Sequence, residues 1–239
     1  LNAYYNAINN VTEWQNFYFD DINSFSYVSI TGGKKAYYGA EAALKYKVNS
    51  AFDIKLLGTV SEAKNTNDAN VNYLNSTQGV YNEDKLLNKD MRESGSPLTV
   101  ASAILSYHKK GWFIDLAGNY YDRIYLGYSP YYRYKSVGEK RGNVDSNGNV
   151  LRLAQEKGKG GFMLDASIGK SIYLKKGSLS INLMLTNVLN NQSIVTGGYE
   201  QSRSDFTASG NARAYKFSRN PKKFYAYGTN GMLNITYKF

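Results

Sequence analysis

Apolar and polar residues alternate with a period of two along several segments of the chain. In one segment the even positions carry Tyr38, Leu44 and Tyr46, and the odd positions carry Glu41 and Lys45. Because successive side chains of a strand point to opposite faces, this period predicts strands with one apolar and one polar face. The alternation predicts about eight strands, at residues 1–18, 33–48, 51–64, 97–109, 111–127, 161–174, 177–190 and 222–239.

The predicted connections alternate between very short and very long. Asn49 and Ser50 form a tight turn, and residues 109–111 and 175–177 form two more. The polar stretches 65–96, 128–160 and 191–221 are each roughly 30 residues long, which is unusual for loops of a compact soluble domain. Short turns at one end and long loops at the other are typical of an outer-membrane barrel. The pattern therefore predicts an all-β, antiparallel transmembrane β-barrel.

The composition agrees with this prediction. The sequence contains 23 Tyr, 10 Phe and 22 Gly residues but only 3 Pro residues. The mean hydropathy of −0.49 does not exclude a membrane protein, because barrel strands alternate lipid-facing and lumen-facing residues. No apolar run reaches about 18 residues, which excludes a transmembrane helix. An aromatic girdle is predicted near the short turns, at Tyr46, Tyr107, Trp112, Tyr173 and Tyr237.

Two other architectures share the alternation. A soluble antiparallel sandwich or lipocalin-like barrel turns its apolar face inward, and alternation alone does not distinguish it. The asymmetry of the loops and the length of the strands favour the membrane barrel. A complete outer-membrane barrel of eight to ten strands, with a structural, adhesive or lipid-binding role, is the alternative within the membrane class.

The charge and the absence of cysteine narrow the possible functions. The formal net charge is +10, but the basic residues are scattered over turns and loops without a nucleic-acid motif, so no nucleic-acid partner is expected. Without cysteine there is neither a disulfide framework nor a thiolate metal site. Basic residues in two long loops predict contacts with the phosphates of surface lipopolysaccharide, at Lys140, Arg141, Arg213, Lys216 and Arg219.

Catalytic chemistry has little support. His108 is the only histidine and falls at a predicted short turn. The acidic pairs Asp20-Asp21 and Glu83-Asp84 are adjacent in sequence, whereas acid–base catalysis needs two carboxyls that face one substrate. The stretch 143–149 begins like a calcium loop, but its twelfth position is Ala154, so we interpret it as a turn. No catalytic, cofactor or metal site is predicted.

A candidate ligand-binding surface consists of aromatic residues at the start of a long loop. Tyr128, Tyr131, Tyr132 and Tyr134 surround Pro130, and such rings can stack on sugars or peptide side chains. The alternative for these tyrosines is the extracellular girdle together with packing of the loop. On the polar face, charged residues are expected to form a network along the barrel wall, at Glu41, Asp115, Arg123 and Asp165.

The end of the chain resembles a known signature. Residues 233–239 are similar to the last strand of outer-membrane barrels, which ends in Phe after alternating apolar or aromatic residues. In that family the assembly machinery recognises this strand. The resemblance implies a barrel-assembly signal at Leu233, Ile235, Tyr237 and Phe239.

The whole chain resembles the C-terminal part of a TonB-dependent outer-membrane transporter of the SusC-like type. Residues 39–46 are similar to the family's Gly-x-Glu-x-x-x-x-Tyr strand, and residues 96–121 resemble the hairpin that follows it. Residues 181–190 are similar to the penultimate strand, and residues 198–203 follow it as in the family.

The resemblance implies a larger assembly. These residues, 1–239, would form one C-terminal segment, the last part of a 22-stranded barrel, without the plug domain. The family imports oligosaccharides, peptides or metal chelates across the bacterial outer membrane. The implied partners are the rest of the barrel, the plug, TonB through the plug, outer-membrane lipid and a SusD-like lid lipoprotein. We expect the chain to begin part-way through a longer protein.

Overall fold

A computed structural model describes residues 1–19, 24–75, 80–200 and 221–239. Within these residues a short 3-10 helix, Tyr131–Arg133, precedes one α-helix, α1 (Lys135–Lys140). The strands are β1 (Asn2–Phe19), β2 (Ser24–Lys47), β3 (Phe52–Asn65), β4 (Ala69–Asn75), β5 (Val80–Leu86), β6 (Pro97–Lys109), β7 (Trp112–Ile124), β8 (Gly161–Leu174), β9 (Gly177–Thr186), β10 (Val195–Glu200), β11 (Pro221–Tyr225) and β12 (Asn230–Lys238). No helix in these ranges is long and apolar enough to cross a membrane.

The strands form one large antiparallel sheet and a small one. Eight long strands lie side by side in the order β1-β2-β3-β6-β7-β8-β9-β12. The β4–β5 hairpin continues the sheet along the upper part of β2, beyond the end of β3, and β10 pairs with β11 separately. The predicted all-β, antiparallel fold is therefore confirmed. In the described part of the chain β1 and β12 each pair with one neighbour only, so this sheet is open.

The structure differs from the predicted strands where local signals are misleading. The sequence predicts a strand that begins at residue 33, but β2 begins at Ser24 and continues through Gly32, which has a φ of 67°. The register between β1 and β2 shifts there, because Val11 pairs with Gly33 and Glu13 with Ile30, which leaves one extra residue in β2. The glycine pair therefore forms a β-bulge instead of ending the strand. The predicted last strand is also interrupted, because residues 226–229 separate β11 from β12.

The long connections fold into a compact region at one end of the sheet. We call this region the loop layer; it comprises β4, β5, β10, β11, α1 and the segments 87–96 and 125–160. Its side chains form the buried apolar clusters together with residues at the adjoining ends of β2 and β7, whereas the rest of the eight-stranded sheet has no second layer in the described residues. The buried clusters are Val28, Ile30, Ala69, Val71, Leu86, Tyr134 and Val137; Leu126, Tyr132 and Val195; and Ile124, Ile194 and Ala226.

In β6, β7 and β8 the apolar face of the sheet is more exposed than the polar face, whereas Leu57 and Met184 on the polar face are about as exposed as their neighbours Leu56 and Leu183. In β6, Leu105 is 44% exposed, whereas the next residue, Ser106, which points to the polar face, is 2% exposed. Strand pairing aligns the apolar side chains into continuous rows across the sheet, one of which contains Tyr46, Ile54, Leu105, Leu116, Ala166 and Leu185. A sheet with its apolar face inside a soluble core would show the opposite distribution of exposure.

Hydrogen bonds connect the polar side chains across neighbouring strands. The Ser102 hydroxyl donates to the Asn119 Oδ1 at 2.7 Å, and the Asn119 amide donates to Asp165 at 2.9 Å. The Ser106 hydroxyl donates to Asp115 at 2.5 Å, which joins β6 and β7 again nearer the short turns. Such cross-strand pairs stabilise one register, so they fix which residues point to the apolar face.

Gly39 allows close approach of β2 and β3. A Cβ at Gly39 would lie 2.8 Å from the Val60 carbonyl oxygen, whereas a Cβ at Gly58 would lie 3.9 Å from its nearest neighbour, the Val100 oxygen. We predict that G39A lowers the free energy of unfolding by about 1–3 kcal/mol, because backbone must move. The matched variant G58A should leave it unchanged or raise it by about 0.5 kcal/mol. Urea titrations in detergent micelles compare the two; equal effects would contradict the packing argument.

Candidate functional site

A polar depression lies where the sheet meets the loop layer. Its volume is about 200 Å³. It is lined by Glu13, Gln15, Lys35, Asn65, Arg92, Glu93, Ser94, Gly127 and Tyr128. Strands β1 and β2 supply the first three side chains, and the loops after β5 and β7 supply most of the others. The pocket thus combines the rigid sheet with the long connections, as ligand sites on scaffolds commonly do.

Lys35 is paired with two carboxylates in this pocket. Its ammonium group forms ion pairs with Glu13 and, at 2.8 Å, with Glu93. The Tyr37 hydroxyl also donates to Glu93 at 3.4 Å. Because Lys35 is largely buried, these contacts offset the cost of removing its charge from water.

Glu62 lies between two arginines at the edge of the same pocket. Its Oε1 accepts from Arg92 Nε at 2.7 Å, and its Oε2 accepts from Arg123 Nη2 at 2.5 Å. Arg123 also donates to the Ser61 carbonyl oxygen at 2.8 Å and has a φ of 57°. The charge-assisted bonds therefore hold Arg123 in a left-handed conformation that non-glycine residues seldom adopt.

Gln155 fixes the position of Arg92 from the loop layer. The Arg92 backbone N–H donates to Gln155 Oε1 at 2.7 Å, and Gln155 Nε2 donates to the carbonyl oxygens of Arg92 at 2.8 Å and Leu126 at 2.9 Å. The Arg92 guanidinium lies 4.6 Å from the centre of the Tyr125 ring. The pocket is therefore held by hydrogen bonds from two long connections as well as from the sheet.

The charges that line the pocket balance. Two carboxylates, Glu13 and Glu93, are opposed by two cations, Lys35 and Arg92. A pocket with paired charges offers hydrogen-bond donors and acceptors without a net field, which suits a neutral polar ligand better than a strongly charged one. Among the described residues no group of three or more His, Cys, Asp or Glu side chains is arranged to hold a metal ion.

The four predicted ligand-binding tyrosines lie together but differ in access. Tyr134 is 0% exposed and Tyr132 is 4% exposed. The Tyr131 ring packs edge-on against both of them, with centroids 5.9 Å and 5.3 Å away. Tyr128 lines the polar depression, where its hydroxyl oxygen accepts from the Asn88 amide at 3.2 Å. Burial raises the pKa of Tyr128 and Tyr134, so both hydroxyls stay protonated at neutral pH.

Burial therefore gives Tyr132 and Tyr134 the loop-packing role that the sequence analysis set beside ligand binding. Ligand contact remains a prediction for all four tyrosines, and Tyr128 is the one that faces the pocket. The Arg141 guanidinium lies 5.1 Å from the centre of the Tyr132 ring, so this predicted lipopolysaccharide contact also supports the aromatic cluster. Arg213, Lys216, Arg219, Asp20 and Asp21 lie outside the described residues.

A buried ion pair in the loop layer had no signal in the sequence. Arg133 Nη1 donates to Glu200 Oε2 at 2.5 Å, and their side chains are 1% and 0% exposed. The Ser129 backbone N–H donates to the same oxygen at 2.5 Å, and Arg133 Nη2 donates to the Ala154 carbonyl oxygen at 3.1 Å. These residues are up to 71 positions apart, and no local pattern connects them. The pair joins β10 to the 125–160 segment.

The remaining predicted residues occupy several places. Asp115 and Asp165 belong to the hydrogen-bonded polar face, whereas Glu41 lines a second depression that extends over β2, β3 and β6. His108 is exposed near the end of β6. The predicted turn at 143–149 is confirmed, with Asp145 Oδ1 accepting from the backbone N–H groups of residues 147 and 149 at 2.8 Å and 2.9 Å.

The predicted assembly residues lie on the edge strand β12. Leu233, Ile235 and Tyr237 point to the apolar face, and the Tyr237 ring lies 5.6 Å from that of Phe239. The Tyr237 hydroxyl donates to the Lys176 carbonyl oxygen at 2.8 Å, which ties the last strand to a short turn. Comparison with protein-family models, curated proteins and solved structures found no match.

We predict that E62Q destabilises the pocket. Removing the carboxylate charge leaves Arg92 and Arg123, which are both mostly buried, facing each other, and we expect a loss of about 1–3 kcal/mol in the free energy of unfolding. E139Q is the control, because Glu139 forms an exposed i,i+4 pair with Lys135 that contributes less than about 0.5 kcal/mol. Denaturant titrations that show the same loss for both variants would contradict this assignment.

The pKa of Asp68 tests its hydrogen bonds with Arg152 and Lys89. Burial would raise the pKa of its carboxyl, but hydrogen bonds from Arg152, at 2.7 Å and 2.6 Å, and from the Lys89 N–H outweigh burial and lower the pKa below its usual range. The stabilisation is present above the unfolded-state pKa and is lost as pH falls through the lower, folded-state value. We predict an NMR titration midpoint for the Lys89 amide below that of an unperturbed aspartate, and a higher midpoint in R152Q. An unchanged midpoint in R152Q would contradict the pairing.

Proposed function

We propose that this chain forms part of the wall and the extracellular loops of an outer-membrane β-barrel that imports a nutrient in a TonB-dependent manner. The observation that carries the proposal is the exposure of the apolar face of a sheet one layer thick in the described residues. In water each exposed apolar Å² costs about 25 cal/mol, whereas contact with lipid removes this cost. The sidedness is that of a barrel with lipid outside and water inside.

Strand length and aromatic positions support a membrane location. β6 and β7 have 13 residues each and β8 has 14, more than the roughly 9–11 that a tilted strand needs to span the bilayer. Tyr107, Trp112 and Tyr237 lie near the short turns, where aromatic side chains stabilise the membrane–water interface. The short-turn end would face the periplasm, and the loop layer would face the outside.

The open edges support a larger barrel. A sheet edge cannot stay unpaired in lipid, because no water is present to satisfy its N–H and C=O groups. β1 and β12 each need a partner strand, and further strands of a 22-stranded barrel would supply it, as the family resemblance implies. The plug, TonB through the plug, lipopolysaccharide and a SusD-like lid lipoprotein are then the proposed partners.

The polar depression favours one part of the family's substrate range. Its paired charges and its lining of Gln15, Asn65, Ser94 and Tyr128 offer donors and acceptors to a neutral, hydroxyl- or amide-rich solute. An oligosaccharide or a peptide fits this lining better than a highly charged metal chelate. The loop layer would then bind the solute before it passes along the polar face.

A complete small barrel is the second candidate. β1 and β12 run in opposite directions, so antiparallel pairing between them could close the eight long strands into a barrel with a structural, adhesive or lipid-binding role. A soluble ligand-binding barrel is disfavoured, because its apolar face would be the less exposed one.

The intact polypeptide purified in detergent from outer membranes tests the proposal. The import proposal predicts a heat-modifiable species several times larger than 26.8 kDa, whose peptides include this sequence and an upstream plug. A folded, heat-modifiable species near 26.8 kDa would support the small barrel and overturn import. Recovery in the aqueous fraction without detergent would contradict both.

A further inference from the structure

The apolar face carries a depression close to the short turns. Its volume is about 830 Å³, and its side walls are mainly apolar, with Phe52, Leu105, Ile114, Ile168 and Leu183 among the lining residues. This volume is in the range of small-molecule sites, and the depression is four times as large as the polar one at the loop layer. A chain-like apolar ligand could lie along this surface.

Lysines lie on the apolar face at the end of this depression. Lys109, Trp112 and Lys170 are direct cross-strand neighbours, so all three point to the same face as Ile114 and Ile168. Lys109 itself lines the depression. A lysine on a lipid-facing surface is costly unless its ammonium group reaches the membrane–water interface. Lys109 and Lys170 lie in the last row of residues before the short turns, where their ammonium groups can reach this interface.

The lysines at this end of the depression form no ion pair within the described residues: no described carboxylate is paired with Lys109, Lys110 or Lys170. Asp115, which also lines the depression, accepts a hydrogen bond from the Ser106 hydroxyl. Lys170 Nζ donates to the Lys110 carbonyl oxygen at 2.9 Å and lies 4.6 Å from the centre of the Trp112 ring. These contacts hold its ammonium group beside Lys110 without cancelling the charge.

Aromatic rings complete the boundary between the apolar and charged parts. Phe52 and Tyr107 are paired across β3 and β6, with ring centroids 4.8 Å apart. On this face they lie one row further from the short turns than Lys109 and Trp112. Asn49 and Ser50 of the first short turn also line the depression. Along the strands toward the short turns, the apolar wall is thus followed by the aromatic pair and then by lysines that have no described ion-pair partner.

We propose that this surface binds one anionic glycerophospholipid, with an acyl chain in the apolar depression and the phosphate beside Lys109 and Lys170. The positive charge selects an anionic headgroup over a zwitterionic one, and the apolar walls require an acyl chain, so free phosphate is not a sufficient ligand. This inference rests on the proposed membrane location, but it does not depend on nutrient import.

The test uses the purified polypeptide that carries this chain. One sample is reconstituted into phosphatidylethanolamine vesicles to measure insertion. A second sample in detergent is titrated with phosphatidylglycerol and analysed by native mass spectrometry. Wild type should bind phosphatidylglycerol in preference to phosphatidylethanolamine. K109Q/K170Q should weaken phosphatidylglycerol binding by about tenfold or more, since each lysine near an anionic surface contributes about 1 kcal/mol. K175Q/K176Q removes the same charge at the neighbouring turn. Because Lys175 and Lys176 neither line the depression nor pair with Trp112, it should change binding by less than about twofold.

Two further variants separate charge from shape. K109R/K170R keeps both charges and should retain the preference. A166W fills the depression, since Ala166 lines it, and should weaken binding although every lysine is present. Equal loss in K109Q/K170Q and K175Q/K176Q, or no preference in a wild-type protein that inserts normally, would overturn the lipid site alone. Failure of the wild type to insert into vesicles would overturn the proposed function as well.

Discussion

The apolar face of the eight-stranded sheet has no second layer of described residues to cover it, and this constraint organises the rest of the molecule. Strand pairing aligns Tyr46, Leu105 and Leu116 in one row, and the polar residues of the same strands bond to one another on the opposite face. A slip of one residue would exchange the two faces. The cross-strand bonds of Ser102, Asn119 and Asp165 therefore preserve an apolar surface that needs an apolar medium.

The loop layer is stabilised by a buried core of its own and by a buried ion pair. Long connections rarely stay in one conformation unless they bury a core of their own. Here aromatic and aliphatic side chains form that core, and the buried pair of Arg133 and Glu200 joins distant segments within it. A buried ion pair adds little net stability compared with apolar residues, but loss of either partner is costly. Ion pairs also join the loop layer to the sheet, since Lys35 of β2 pairs with Glu93 and Glu62 of β3 pairs with Arg92.

The parts of the fold that depend on local pattern could be predicted from the sequence. The eight long strands and their short turns follow from the period of two and from turn residues such as Gly111, whose φ is 78°. The part of β2 before Gly33 was not predicted, because the bulge at Gly32 interrupts the period of two. The contacts of Glu62 with Arg92 and Arg123 could not be predicted, because they join residues 30 and 61 positions apart. The burial of Tyr134 depends likewise on β4, whose Tyr73 ring stacks on it.

The central claim is that the apolar face contacts lipid and the polar face contacts water. The chain has no cysteine, so single cysteines at Ile168 and at its neighbour Ser167 can each carry a fluorophore. Quenching by nitroxide-labelled lipid and by aqueous iodide should be compared for the two sites in vesicles. The account predicts that lipid quenches the label at 168 and iodide quenches the label at 167. The reverse pattern, or iodide quenching at both sites, would contradict it.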